Sequence, residues 1–116
     1  MDPPFKNPST IEYYARHLNQ WHDGGWLFIR ADSKIALDTP CVQQGWDDKD
    51  LSPEEQEEFD RRIPELGYRP FLEWGQLSDI VGNLEDQKPD FTELDLGQAI
   101  SFYWERDAFI DLATGG

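Results

Sequence analysis

Residues 26–43, WLFIRADSKIALDTPCVQ, decide the fold class because they hold the clearest strand signals in the chain. The run WLFIR is short, rich in β-favouring side chains and too apolar for both of its faces to meet water. The letters ADSK are typical of a turn, and IALD follows as a second strand. Thr39 precedes Pro40 and is therefore biased toward extended geometry. Cys41 and Val42 continue as a third short strand or a bulged extension, so we predict a β-meander here.

Helical and strand patterns alternate outward from this region. Before it, Ser9 and Glu12 have the spacing of a capping box, apolar residues then recur every three or four positions up to Trp21, and Gly24 and Gly25 end the helix. After it, Ser52 and Pro53 begin a helix that Pro64 and Gly67 close. A strand from Tyr68 to Trp74 follows, with Pro70 marking an edge or a bulge. Two further helices come last, one carrying Leu77, Ile80, Val81 and Leu84 and one capped by Thr92 with Asp95.

These patterns predict an α+β fold, with a small, mostly antiparallel sheet of three to four strands packed with about four helices. At 116 residues the chain has the length of one domain. We assign residues 9–116 to that domain. Three prolines within residues 1–8 predict an irregular N-terminal arm.

Composition and cysteine content narrow the class of protein. Hydrophobic residues make up 38% and aromatic residues 14% of the chain, which is too rich for a disordered protein. There is no apolar run typical of a signal peptide and none of the roughly 20 residues that span a bilayer. Cys41 is the only cysteine, which excludes an internal disulfide and a cysteine-based zinc site. We expect a soluble cytoplasmic protein that needs no cofactor.

The formal net charge of −14 bears on partners. An acidic surface repels nucleic acid and anionic membranes and attracts basic proteins. We therefore expect neither direct nucleic-acid binding nor membrane binding, and we expect a basic protein partner.

The negative charge is densest in residues 46–60, WDDKDLSPEEQEEFD, which hold eight carboxylates and one lysine. A helix dipole and a cap account for two or three acids at a helix start, and each like-charged pair at helical spacing costs about 0.2–0.5 kcal/mol. A basic partner would offset that cost, although a solvated helix face is the plainer interpretation. The predicted partner-binding residues are Trp46, Asp47, Asp48, Asp50, Glu54, Glu55, Glu57 and Glu58. Trp46 is either an anchor of this surface or a core residue.

Catalytic chemistry has little support in the sequence. His17 and His22 do not share a helical face, and no serine, cysteine or threonine lies in a nucleophile motif. Asp47, Asp48 and Asp50 lack the spacing of an EF-hand. We therefore predict no catalytic residue, no metal site and no enzyme. The alternatives are a small hydrolase or metal-dependent enzyme that uses these three aspartates, and a structural subunit of a larger assembly.

Three segments resemble a family of small acidic bacterial proteins. They are GWLFIRADSKIALDTPC, LSDIVGNLEDQ and AISFYWERDAFIDL, in that order, and the resemblance covers most of residues 24–112. Its most specific pieces are Asp38-Thr39-Pro40-Cys41 and Asp107-Ala108-Phe109. Proteins of this kind are similar to immunity proteins of polymorphic toxin and contact-dependent growth inhibition systems.

The resemblance implies a non-enzymatic protein that binds and neutralises a cognate toxin domain. Such toxins are often nucleases with a basic cleft, in which carboxylates can occupy the positions of phosphates. A phage-encoded nucleic-acid mimic that blocks a CRISPR or restriction complex is the alternative that composition does not separate from this function.

Overall fold

The computed structural model describes residues 5–21, 25–45 and 51–112. Its strands are β1 (Phe5–Thr10), β2 (Trp26–Arg30), β3 (Pro40–Gln44) and β4 (Tyr68–Glu73). Its α-helices are α1 (Ile11–Arg16), α2 (Pro53–Glu65), α3 (Trp74–Gln87) and α4 (Glu93–Arg106), and a short 3-10 turn spans Leu18–Gln20. The predicted α+β class is confirmed.

The four strands form one antiparallel sheet in the order β1-β3-β2-β4. The strand β4 lies at the edge, as Pro70 predicts, because a proline has no N–H to donate to a further strand. Its pairing with β2 shifts register between Trp26 and Phe28, so β4 is both an edge strand and an irregular one.

One face of the sheet carries the main core. Leu27 and Ile29 point from β2 into this face, where the side chains of α1, α3 and α4 cover them. The buried members include the predicted α3 stripe, and the larger helix side chains among them are Ile11, Tyr14, Leu77, Ile80, Val81, Leu84, Leu96 and Ile100. This layer accounts for most of the apolar burial and fixes the strand positions.

The helix α2 packs against the opposite face. Phe28 alternates with Leu27 and Ile29 along β2 and is 3% exposed, yet it lies outside the main core cluster. Ile63 of α2 is likewise buried outside that cluster, and the two residues line a common groove. Three consecutive buried residues in WLFIR follow from this, since both faces of β2 are covered.

The N-terminal segment differs from the prediction. Residues 5–8 are not an irregular arm but the first part of β1, which pairs with β3 and carries a register shift between Lys6 and Ser9. Asn7 takes a positive φ of 53° within this shift. Pro8 is therefore accommodated within an irregular strand rather than by the loss of pairing. Residues 1–4 lie outside the described residues.

The first helix is also shorter than predicted. Thr10 rather than Ser9 is its N-cap, with Oγ1 accepting a hydrogen bond from Tyr13 N at 3.2 Å. Ser9 and Thr10 both pair in the sheet, with Cys41 and Pro40, and the helix begins only at Ile11, so Thr10 is the residue at the N-cap position. The helix ends at Arg16, before the predicted stop at Gly24 and Gly25.

The predicted strand IALD is wrong. Residues 35–38 form a loop in which Leu37 faces Gly97 on α4, so that a Cβ added at Gly97 would lie 3.5 Å from Leu37 Cγ. The Leu37 carbonyl accepts a hydrogen bond from Glu12 N at 2.9 Å. Ile35 and Leu37 are apolar because they cover the helical layer, and their carbonyls bond helices rather than a strand.

Candidate functional site

The acidic helix α2 begins at a complete capping box. Ser52 Oγ accepts from Glu55 N at 3.2 Å, and Glu55 Oε1 accepts from Ser52 N at 3.3 Å. Pro53 occupies the first helical position, where its missing N–H leaves no bond unmade. The predicted start of this helix is confirmed, and Glu55 has a structural role at it.

The other three predicted glutamates of α2 point to solvent. Glu54, Glu57 and Glu58 are all exposed. Their spacings of three and four residues place them side by side on one face of the helix. The structure therefore brings these three carboxylates together as one surface, which we call the α2 acidic face.

Little on α2 offsets this charge. The helix carries six carboxylates and only two arginines, Arg61 and Arg62, so its net charge is −4. Within the described ranges the ion pairs are Glu12 with Arg16 and Asp95 with Lys88, and neither involves α2. The α2 acidic face is thus a solvent-exposed field of negative charge.

A second acidic set lies on the other side of the sheet. Glu85 and Asp86 are exposed on α3, which belongs to the main helical layer. Asp95 is engaged within the fold, because it completes the α4 capping box with Thr92 and pairs with Lys88 Nζ at 2.9 Å. This set does not continue the α2 acidic face, because the sheet separates α3 and α4 from α2.

The remaining predicted partner-binding residues are Trp46, Asp47, Asp48 and Asp50. All four lie outside the described residues. Their contribution to a surface stays a prediction, as does the alternative hydrolase that would use the three aspartates.

A groove runs between α2 and the sheet, and the sequence alone did not indicate it. It has a volume of about 330 Å³. The side chains that line it are Trp26, Phe28, Gln44, Gln56, Asp60, Ile63 and Pro70. Gln56 Nε2 donates to Asp60 Oδ1 at 3.0 Å, and Gln44 Oε1 accepts from Trp26 N at 3.3 Å. The groove combines apolar walls with one carboxylate and two amides.

Trp26 is the aromatic residue that the sequence reasoning missed. It is 36% exposed, whereas Trp21 is buried and Trp74 and Trp104 are half-buried. The indoles of Trp21 and Trp74 donate to the backbone carbonyls of Tyr14 and Leu18. Among the tryptophans that the structure describes, Trp26 is therefore the most exposed, and its position as the first residue of WLFIR was the only signal.

Three titratable or nucleophilic side chains elsewhere make contacts within the fold. Burial raises the pKa of the Cys41 thiol to about 12, against a smaller lowering by the backbone hydrogen bond from Phe28. Burial also raises the pKa of Tyr14, whose hydroxyl donates to the Asn7 carbonyl. His17 stacks on Tyr13, with ring centroids 4.1 Å apart. These contacts give each group a structural role.

Residues 5–21, 25–45 and 51–112 bring together no group of three His, Cys, Asp or Glu side chains that could hold a metal ion. In the same ranges no helix combines the length and the apolar character needed to cross a lipid bilayer.

Comparison with known proteins identifies the family. A family model described as a domain of unknown function, DUF7716, matches residues 13–112, from within α1 to beyond the end of α4. The chain belongs to this family. No match is found among curated protein sequences or among solved structures.

Proposed function

We propose that this member of the DUF7716 family is a non-enzymatic immunity protein. It acts in the cytoplasm, where it binds and neutralises a cognate toxin domain of the nuclease type. The observation that carries the proposal is the α2 acidic face, on which Glu54, Glu57 and Glu58 are exposed together.

The energetics of α2 support binding to a basic protein. Each like-charged pair at these spacings destabilises the helix by about 0.2–0.5 kcal/mol. The helix is held to the sheet by a narrow apolar stripe, of which Ile63 is buried and Phe59 half-buried. A surface of lysines and arginines would turn the repulsion into attraction.

The same surface accounts for rapid neutralisation. Complementary fields raise association rates to about 10⁸–10⁹ M⁻¹s⁻¹ at low salt. A nuclease binds phosphates through basic side chains, and the carboxylates of α2 are the matching anionic groups on a protein. Salt screens such fields, so the association rate of this complex falls steeply with ionic strength.

The test is affinity capture of the partner with a matched pair of charge variants. The first variant is Glu54→Lys/Glu57→Lys/Glu58→Lys, which leaves Glu55 in place to preserve the capping box. The control is Asp79→Lys/Glu85→Lys/Asp86→Lys, which changes the net charge equally on exposed positions of α3.

The proposal predicts one basic partner that binds the wild type and the α3 control and is lost by the α2 variant. The wild-type protein must also abolish the nuclease activity of that partner in a purified assay. Loss of binding in the α3 control alone would place the interface on the other side of the sheet. Capture of a multi-subunit nucleic-acid-guided complex would instead favour the phage inhibitor.

A further inference from the structure

The groove beside the α2 acidic face has the chemistry of a binding site for one long cationic side chain. Four of its lining residues are apolar and form the walls: Trp26, Phe28, Ile63 and Pro70. Gln44, Gln56 and Asp60 supply the polar groups, and Asp60 brings the formal charge. A ligand for this groove therefore needs an apolar stem and a positively charged head that donates hydrogen bonds.

The size of the groove limits what it can hold. Its volume of about 330 Å³ is near the lower end of the roughly 300–1,000 Å³ typical of small-molecule pockets. A single long side chain from a docked protein is an occupant of suitable size. A partner's backbone would rest outside, against the rim that α2 provides.

Trp26 favours a guanidinium head over an ammonium head. A planar guanidinium stacks on an aromatic face and still donates N–H groups in its own plane, whereas an ammonium is a compact, strongly hydrated charge. The protein uses this pairing internally, since Arg30 lies 5.5 Å from the Tyr68 ring centre and Arg69 lies 5.4 Å from that of Trp104. Trp26 has no such cation over its ring among the described residues.

The acceptors of the groove match the donors of a guanidinium. The Asp60 carboxylate already accepts one hydrogen bond from Gln56 Nε2, and a carboxylate has about four lone-pair positions. A guanidinium carries five N–H donors in a fixed fork. Glu57, three residues before Asp60 on the same helix, adds negative potential near the groove.

We infer that the groove between α2 and the sheet binds an arginine side chain of the basic partner, with its guanidinium against Trp26 and Asp60. This inference rests on the proposed function and names the anchor of that same interface. Exposed carboxylates speed the encounter, while a desolvated anchor lengthens the lifetime of the complex. The α2 acidic face therefore raises the association rate, and the groove lowers the dissociation rate.

The probes are two capped peptides, one of alternating glycine and arginine and one of alternating glycine and lysine with the same length and charge. Binding is followed at low ionic strength by two-dimensional ¹H–¹⁵N spectra, which resolve the Trp26 indole N–H, the side-chain amides of Gln44 and Gln56, and the backbone amides of α2. We expect the arginine peptide to shift the groove resonances. The lysine peptide is expected to shift only the backbone of α2.

Two variants examine the groove and one serves as a control. Asp60→Asn lowers the affinity of the arginine peptide about tenfold, because one charge-assisted hydrogen bond is weakened. Asp86→Asn removes the same charge from α3 and lowers the affinity of the arginine peptide by less than about twofold, since distant exposed charges are screened. Trp26→Leu removes the stacking surface and abolishes the preference for arginine over lysine.

The outcomes separate this inference from the proposed function. If both peptides shift only the α2 backbone, the acidic face stands and the arginine site is wrong. If the arginine peptide shifts the groove but leaves the amides of Glu54, Glu57 and Glu58 unmoved, the site is supported and the acidic face is not. No shift in either region overturns both, and equal losses for Asp60→Asn and Asp86→Asn overturn the role of Asp60.

Discussion

Gly25 and Gln44 face each other so closely that a Cβ atom on Gly25 would lie 2.9 Å from Gln44 Oε1. Gly25 has a φ of +68°, in the left-handed region, and its carbonyl accepts a hydrogen bond from Trp74 N at 3.0 Å. Gln44 in turn accepts from Trp26 N and lines the groove. Gly25 thus connects three features of the fold: it precedes β2, it bonds the first residue of α3, and it faces the Gln44 side chain in the wall of the groove.

Substitution of Gly25 by alanine is expected to lower the free energy of unfolding by about 1–3 kcal/mol, because a non-glycine residue is strained at positive φ. The Gln44 side chain must also shift, which weakens its bond to Trp26 N. Urea denaturation followed by tryptophan fluorescence measures the loss. An unchanged midpoint would show that the backbone at Gly25 does not have this conformation.

The opposite result is expected for Gly82→Ala. Gly82 lies inside α3, and a Cβ added there meets nothing within 4 Å. Alanine is therefore expected to raise the free energy of unfolding by about 0.5–1 kcal/mol through helix propensity and the lower entropy of the unfolded chain. The same denaturation assay measures the gain, and destabilisation here would contradict the open space beside α3.

Local chain chemistry predicted most of the helical elements. The caps at Ser52 and Thr92 were readable because a capping box uses only side chains close in sequence. The prediction of a strand at IALD was wrong because the contacts of this segment are distant in sequence. Its apolar residues pack on α4, some sixty positions away, and nothing within the segment distinguishes that role from sheet pairing.

The candidate site was only partly accessible to sequence reasoning. Charge density pointed to the glutamates of α2, of which Glu54, Glu57 and Glu58 form the α2 acidic face, because like charges crowded on one helix are visible in the sequence. The groove was not visible, since it joins β2, β3, β4 and α2 through tertiary packing. The one related feature of the sequence is the apolar run Leu27 to Ile29, whose three residues are all buried because a second layer covers β2.

Removal of the α2 cap is expected to loosen that helix. Ser52→Ala deletes the acceptor for Glu55 N, and the loss of such a cap costs about 0.5–2 kcal/mol. Amide hydrogen exchange should accelerate in α2 more than in α3 or α4, because α2 buries only Ile63. Ser78→Ala, within α3, is the control and is expected to leave exchange in α2 unchanged. Uniform acceleration across all helices would show that α2 does not open by itself.

Cys41 is expected to be unreactive in the folded protein. It is 1% exposed, and burial raises the pKa of its thiol from 9.0 to about 12, so very little of the reactive thiolate forms at neutral pH. A colourimetric disulfide reagent should modify one thiol per chain in urea and react in native buffer only as fast as the protein opens. Rapid reaction in native buffer would place Cys41 at the surface.

Asp95 is expected to link stability to acidic pH. The backbone N–H of Thr92, 2.9 Å from Asp95 Oδ2, and next the Lys88 ammonium hold the pKa of this carboxyl below its usual 3.8. Because the folded pKa is the lower one, the folded state binds the proton more weakly than the unfolded state does. The contribution of Asp95 to stability is therefore complete above pH 3.8 and is lost as the pH falls through the folded pKa.

The measurement is the difference in unfolding free energy between wild type and Asp95→Asn, followed from neutral to acidic pH. That difference should be constant near neutrality and shrink in the acidic range. Lys88→Met removes one of the two groups that stabilise the Asp95 carboxylate. The pH range over which the difference shrinks should therefore become narrower. If the difference stays constant until the protein unfolds in acid, Thr92 and Lys88 do not stabilise the charged carboxylate of Asp95.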